Sequence, residues 1–253
     1  MYNLDVSSPC IADDMLLLSL SKVGLNKMLD ICNTYSSMWR FEYNPSKCNV
    51  VSFNSSPKEQ NTDWLLGHDS IPVADVYKHL GIELDKYISM TEAVTEACRK
   101  LKSTFFSITK SGLSPCGLNP LTFVTVYKTV VLPKALYGCE LWNTLSTAHV
   151  SQLEKAHRLC LKYMQNLPMY TSTIFVLNSL GTIPIEHAID HKKLIFFGQL
   201  CRLPAHYLAK QIFVNRLVRF VSGDRQCQGF IPGIYRLLTT VNVKVSYLKF
   251  IDC

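Results

Sequence analysis

The hydrophobic period of this chain changes near residue 89, and that change limits what it can fold into. Before it, apolar residues come in short runs broken by Pro, Gly, Asn and Ser, as strands and turns require. After it they recur at three- and four-residue steps, the spacing of one buried helix face. Strands with one helix, followed by helices alone, describe an α+β chain. The sequence predicts units over residues 1–88 and 89–221, and a tail, 222–253, whose pattern is ambiguous. A length of 253 residues is enough for two modest domains with a buried core.

Local signals place the elements. Residues 6–11 and 15–20 read as a hairpin with Ala12-Asp13-Asp14 at its tip, and residues 15–18 as a strand buried on both faces. Ser21 is the expected N-cap of a helix whose apolar face holds Leu25, Met28, Leu29, Cys32, Tyr35 and Trp39. A turn at Asn44-Pro45-Ser46 leads to a strand over 49–53. Residues 64–66 and 71–73 read as a short hairpin, and 76–84 as a strand interrupted by Gly81. Ser89 and Glu92 form a capping-box pattern for a helix to about 110. Asn119-Pro120 opens the next helix, which Pro133 should kink or break. Further helices are predicted over about 147–166, 171–180, 185–202 and 205–221.

Charge divides along the same line. Residues 1–95 hold seven Lys/Arg against twelve Asp/Glu, a net of −5, and residues 96–253 hold nineteen against seven, a net of +12. An acidic front and a basic back suit a carboxylate metal site beside a polyanion-binding surface. They equally describe a solvated basic face on a helical domain. No apolar stretch approaches the length of a bilayer span, so no membrane association is expected, and the first residues lack a secretory pattern. The ten cysteines show neither a C-x-x-C pair nor zinc-site Cys–His spacing, which predicts reduced thiols in an intracellular protein, nuclear or cytoplasmic. His187 and His191 stand four apart, but Ala188 follows His187 where a zincin needs Glu, so they read as satisfied or solvated histidines.

Asp13 and Asp14 are the candidate chemical centre. Adjacent carboxylates repel, and a cation between them removes the cost. Magnesium takes one or two carboxylates and completes its shell with water and phosphate oxygens. Asp-Asp pairs are also common in plain solvated turns, but those more often carry Gly or Asn beside them than apolar strands.

Five segments in order resemble the reverse transcriptases of non-LTR retrotransposons. Ile11-Ala12-Asp13-Asp14 followed by Met15-Leu16-Leu17-Leu18 resembles their Y/F-A-D-D box, with Ile11 where an aromatic residue is usual. Phe41-Glu42-Tyr43-Asn44-Pro45-Ser46-Lys47-Cys48 is similar to their N-x-x-K segment, and Val76-Tyr77-Lys78-His79-Leu80-Gly81-Ile82 to their Y-L-G primer grip. Residues 126–133 with 136–142 resemble a thumb-region signature, and Leu153-Glu154-Lys155-Ala156-His157-Arg158 the segment after it.

The resemblance implies a partial palm followed by a helical thumb and a C-terminal extension. It implies Asp13 and Asp14 at a magnesium site, Lys47 near the incoming nucleotide, and Leu80 and Gly81 against the primer end. An RNA template paired with a DNA primer would be the partner. Thumb cations for its phosphates would be Arg99, Lys100, Lys102, Lys110, Lys128, Lys155, Arg158 and Lys162. Tyr127, Tyr137 and Trp142 are expected in the thumb core. The family's palm also needs a metal-binding aspartate well upstream, yet Asp5 is the only acid before Ile11. This chain alone is therefore expected not to polymerise without a fingers–palm portion, and its first unit to be poorly stable alone. A nucleic-acid-binding module without catalysis, or an inert remnant of a mobile element, are the alternatives.

Overall fold

A computed structural model describes residues 6–53, 63–112, 117–223 and 229–240. The chain divides into two compact units, one over residues 3–89 and the other from residue 90 onward. Among the described residues the secondary structure is mostly helical, with three small antiparallel hairpins, which is compatible with an α+β chain.

In the first unit, β1 (Cys10–Ile11) pairs with β2 (Asp14–Met15). The same register continues outward, with Leu16 N–H bonded to Pro9 O at 3.0 Å and Leu18 N–H to Ser7 O at 2.7 Å. Helix α1 (Lys22–Trp39) follows, its N-cap Ser21 accepting the Gly24 amide at 3.1 Å as the sequence predicts. β3 (Trp64–Leu66) pairs with β4 (Asp69–Ile71) around Gly67-His68, so the partner strand begins two residues earlier than predicted. Gly67 takes a φ of +65° there, which a side chain would strain. The strand predicted at 49–53 is reduced, among the described residues, to a single parallel bridge between Val50 and Val73. Leu29, Cys32, Trp64, Leu66 and Ile71 form the core, with Met15 and Leu17 packed on it. Met15 and Leu17 face inward by strand alternation, whereas Leu18 is exposed. The expectation that residues 15–18 are buried on both faces is thus wrong, because a two-stranded hairpin covers only one. Only part of the apolar arc of α1 is used, and Tyr35 and Trp39 are exposed.

β5 (Val76–His79) and β6 (Ile82–Asp85) form the third hairpin. The sequence reading had one strand here with a kink at Gly81. Instead Leu80 and Gly81, at φ +48° and +82°, reverse the chain as a two-residue turn with both central residues left-handed.

In the second unit, α2 (Thr91–Lys110) buries Val94, Ala97, Cys98, Leu101, Thr104 and Phe105 along one stripe. The predicted capping box does not form. The Ser89 hydroxyl donates to the Asp85 carboxylate, and Met90 caps the helix without a side-chain bond. Asn119 does cap α3 (Pro120–Val126), accepting the Leu121 amide at 2.9 Å. The helix neither breaks nor stops at Pro133. It widens into a π-helical segment, Tyr127–Val131, and continues as α4 (Leu132–Ala135). Pro133 has no amide for the carbonyl four residues back, and the preceding turn absorbs the mismatch through a Leu132 N–H to Tyr127 O bond.

The remaining helices are α5 (Thr147–Met164), α6 (Thr173–Ser179), α7 (Ile185–Arg202), α8 (Leu208–Val221) and α9 (Phe230–Thr240). The last places a helix in the tail whose pattern was ambiguous. Phe105 stacks on Phe123 at 5.5 Å and meets Tyr127 edge-on at 6.1 Å, in a core that includes Leu101, Leu153 and Leu161. Trp142 is buried in this core as predicted, whereas Tyr137 is exposed. Helix α7 contributes Ile185 and Ile189 to it, then Leu200 to a smaller cluster with Phe213, Leu217 and Ile231. Long α7 thereby carries the α8–α9 pair.

Candidate catalytic hairpin and basic surface

The register of the first hairpin leaves a two-residue turn of Ala12 and Asp13. Asp14 is therefore not at the tip but on β2, opposite Ile11. Both carboxylates are exposed. Ala12 takes a φ of +55° at the first central position, where such turns favour glycine. A left-handed L-residue costs about 1–2 kcal/mol. Backbone strain of this kind collects at functional sites, so the observation points toward a role for the turn. Two carboxylates match the donor number and hardness that magnesium accepts from protein. Among the described residues, however, no group of three or more His, Cys, Asp or Glu stands together as a metal site.

Lys47 ends a short 3-10 turn, Pro45–Lys47, which Asn44 caps through its side chain. Its side chain is exposed, and its carbonyl accepts the Tyr77 hydroxyl at 3.4 Å. Tyr77 belongs to β5, so the Lys47 turn is tied to the Leu80–Gly81 hairpin. Among the described residues no hydrogen bond or ion pair joins Asp13 or Asp14 to either. At the base of that hairpin the Asp85 carboxyl sits below its ordinary range. Burial acts to raise it, and bonds from the Ser89 hydroxyl and the Tyr87 and Ser89 amides outweigh burial.

The eight candidate cations separate into two groups. Lys162 is buried, its ammonium bonded to Met169 O at 2.5 Å. Lys128 donates to Gly181 O at 2.8 Å. Arg158 donates to Glu154 O at 3.2 Å and to Thr173 Oγ1 at 3.1 Å. Arg99 chelates Glu96 through bonds of 2.6 and 2.8 Å, and Lys100 lies 3.8 Å from the same carboxylate. Lys102, Lys110 and Lys155 are exposed and make no ion pair among the described residues. The three-residue stripe Lys155, Arg158, Lys162 therefore does not present three cations to solvent. Its last member faces inward because a carbonyl seven residues on needs its ammonium.

Three buried groups escaped the sequence reading. Tyr127 Oη and His157 Nδ1 are 2.7 Å apart in the core, and His157 Nε2 is 3.2 Å from Ile183 O. A carbonyl can only accept, so Nε2 carries the proton and Nδ1 accepts from the tyrosine. Burial lowers the His157 pKa to about 4, partly opposed by the Ile183 bond and aided by the charge of Arg158. Burial also lowers the pKa of Lys193, and Lys210 is buried with its ammonium on Cys201 O at 2.8 Å. The spacing of Lys210 from the end of α7 could have suggested a helix-end lysine. No local pattern marks His157.

Sequence comparison finds relatives for the chain that carries this paired-aspartate hairpin and basic helical unit. Over 182 residues the chain is 24% identical to the RNA-directed DNA polymerase from mobile element jockey of Drosophila melanogaster, a match covering 67% of this chain and 19% of that protein. Over 120 residues it is 22% identical to the probable RNA-directed DNA polymerase from transposon X-element of the same fly, covering 47% of this chain and 13% of that protein. The matched part thus spans under a fifth of either relative. No family model matches the chain, and no solved structure matches it. The resemblance read from the five segments is borne out: the relatives of this chain are RNA-directed DNA polymerases of Drosophila non-LTR elements.

Proposed function

We propose that this chain is a portion of an RNA-directed DNA polymerase of a non-LTR mobile element, contributing part of the palm and the thumb. The observation that carries the proposal is the exposed Asp13–Asp14 pair on a strained two-residue turn, in a chain similar over 182 residues to such a polymerase. In this reading the first unit is part of the palm, and the helices from residue 91 are the thumb followed by a C-terminal helical extension. Asp13 and Asp14 hold magnesium, which when bound supplies positive charge for the phosphates of the incoming nucleotide. Lys47 lies near that nucleotide, and Leu80 and Gly81 position the primer end. The Leu80 side chain, projected from a left-handed turn, is the part that would touch it. Lys102, Lys110 and Lys155 contact phosphates of the RNA–DNA duplex, which positions it without reading sequence. Arg99 and Lys100 join them when Glu96 releases them.

Two carboxylates suffice to hold one magnesium ion, whereas the paired-ion arrangement of nucleotide transfer calls for a further carboxylate-bearing segment, supplied in this reading with the fingers. The absence of a third acid beside the pair among the described residues supports a second reading, binding of nucleic acid without catalysis. Primer extension on an RNA template with magnesium separates the two. The arms are this chain, its Asp13→Ala/Asp14→Ala variant, and each supplied with the fingers–palm portion of a relative. Extension only on complementation, lost in the double variant, is the expected result. Silence in every arm, with duplex binding retained, sinks the catalytic reading and leaves the binding one.

A further inference from the structure

The segment between α5 and α6 is held rigid, yet it projects its largest side chains into water. Asn166 takes a left-handed φ of +52°, and Leu167 N–H closes back on Lys162 O at 2.9 Å. The Lys162 ammonium grips Met169 O, and Thr171 N–H bonds Pro168 O at 3.1 Å, making Met169 and Tyr170 the central residues of a β-turn. Arg158 pins Thr173 at the start of α6. Gln165 ties α6 to α5 through Val176 O and the Ser179 hydroxyl. Such a turn usually carries Asp, Asn, Gly or Ser. Here Tyr170 is 90% exposed, Met169 62%, and the adjoining Ile174 and Phe175 72% and 57%.

Loose loops collapse such side chains onto the nearest core. This one cannot, because two cations and a glutamine fix its backbone. Large apolar side chains exposed at four of seven successive positions mark a candidate interaction site. Its electrostatics select the partner. No Asp or Glu occurs between Glu154 and Glu186, and that stretch holds Lys155, Arg158 and Lys162, with Lys155 exposed. An exposed aromatic ring on a segment that carries basic and no acidic residues is the combination that binds unpaired bases, with rings stacking on the bases and cations near the backbone.

The geometry points to a single-stranded nucleic-acid site on the α5–α6 turn, with Tyr170 as the stacking platform, Met169 beside it in the turn, and Lys155 on the phosphates. This rests on the proposal that the basic unit binds nucleic acid, and adds to it an unpaired strand that continues from the duplex past Lys155. The rigid turn means little ordering entropy is lost on binding.

The test uses the full chain, with fluorescence anisotropy on labelled oligouridine and, separately, on an RNA–DNA duplex, across a salt series. Tyr170→Ala is expected to weaken oligouridine binding about 10-fold or more, the scale of one lost base stack, with its salt slope unchanged. Tyr170→Phe keeps the ring and should bind like the unaltered chain. Lys155→Ala should reduce the single-strand salt slope by about 0.7. Duplex affinity should hold in Tyr170→Ala. The side chain is almost wholly exposed, so the thermal melt of each Tyr170 variant should match the parent. Oligouridine affinity indifferent to Tyr170→Ala overturns the inference. So does duplex binding without single-strand binding, which leaves the duplex reading standing. Failure to bind either nucleic acid overturns both. Self-association that Tyr170→Ala abolishes, with nucleic-acid affinities unmoved, overturns it in favour of a protein contact.

Discussion

Acid should loosen the helical unit through His157. The ring is held neutral between the Tyr127 hydroxyl and Ile183 O, with its pKa lowered to about 4 by burial. In the unfolded chain it returns to about 6.5, so the unfolded state binds more protons in the window between these values. A depressed folded-state pKa means the contribution is fully present above pH ~6.5 and lost as pH falls toward ~4. The whole shift amounts to about 3 kcal/mol, and linkage places about 2.5 kcal/mol of loss by pH ~4.5 relative to neutral pH. Carboxylates also titrate there, so the comparison must be made against His157→Phe. That variant leaves the Tyr127 hydroxyl and Ile183 O without their partner, and should be destabilised by about 1–3 kcal/mol or more at neutral pH. It has no proton to gain at this position. Urea unfolding followed by far-UV circular dichroism, a signal dominated by these helices, should show the gap between the two proteins shrinking by about 2 kcal/mol from neutral to pH ~4.5. A gap that stays constant would refute the buried neutral imidazole.

Other consequences are simpler to read. Leu80→Asn should stabilise the third hairpin by up to about 1 kcal/mol, because Asn tolerates the left-handed region. In the complemented primer-extension assay the same variant should lose activity if the Leu side chain meets the primer, whereas unchanged extension removes that role. Phe105→Ala should cost about 3–5 kcal/mol in chemical denaturation, since it empties the centre of the aromatic cluster. Lys155→Ala should weaken duplex binding and lower its salt slope by about 0.9, and Lys162→Met should leave the slope unchanged while lowering the melting temperature. A slope change in Lys162→Met would show its ammonium reaching phosphate after all.

What the sequence disclosed was what adjacent residues decide. Ser21 before Lys22 and Asn119 before Pro120 cap their helices because a cap is settled within three residues. The hairpin at Asp13–Asp14 was legible as two apolar strands about a short turn, but its register was not, since the turn takes two residues rather than three and leaves Asp14 on β2. Ser89 misled because its hydroxyl had a choice, and the Asp85 carboxylate of the preceding strand won over an amide in its own helix. At Gly81 the sequence suggests only an interruption, because Leu80 gives no sign of a left-handed backbone, and it takes both residues to reverse a strand in two steps. The fate of the cations was the least legible. Lys128 finds its carbonyl fifty-three residues away at Gly181, and only tertiary structure makes that contact.

That fate changes what the charge of the second half means. A net of +12 over residues 96–253 invites a broad polyanion surface. Yet among the lysines and arginines most suggestive of one, Lys128, Arg158 and Lys162 bind carbonyls or a hydroxyl of their own unit, and Lys210 does the same. The buried ammoniums of Lys162 and Lys210, held on carbonyls, cannot contact a phosphate directly, whereas Lys128 is exposed and must give up a carbonyl to do so. The positive potential is therefore broader than the set of groups able to make contacts. Long-range attraction would scale with the former and the salt slope with the latter. A small slope beside a fast, salt-sensitive association would be the signature of this division, with phosphate contact falling on exposed cations such as Lys102, Lys110 and Lys155 rather than spread over the whole basic half.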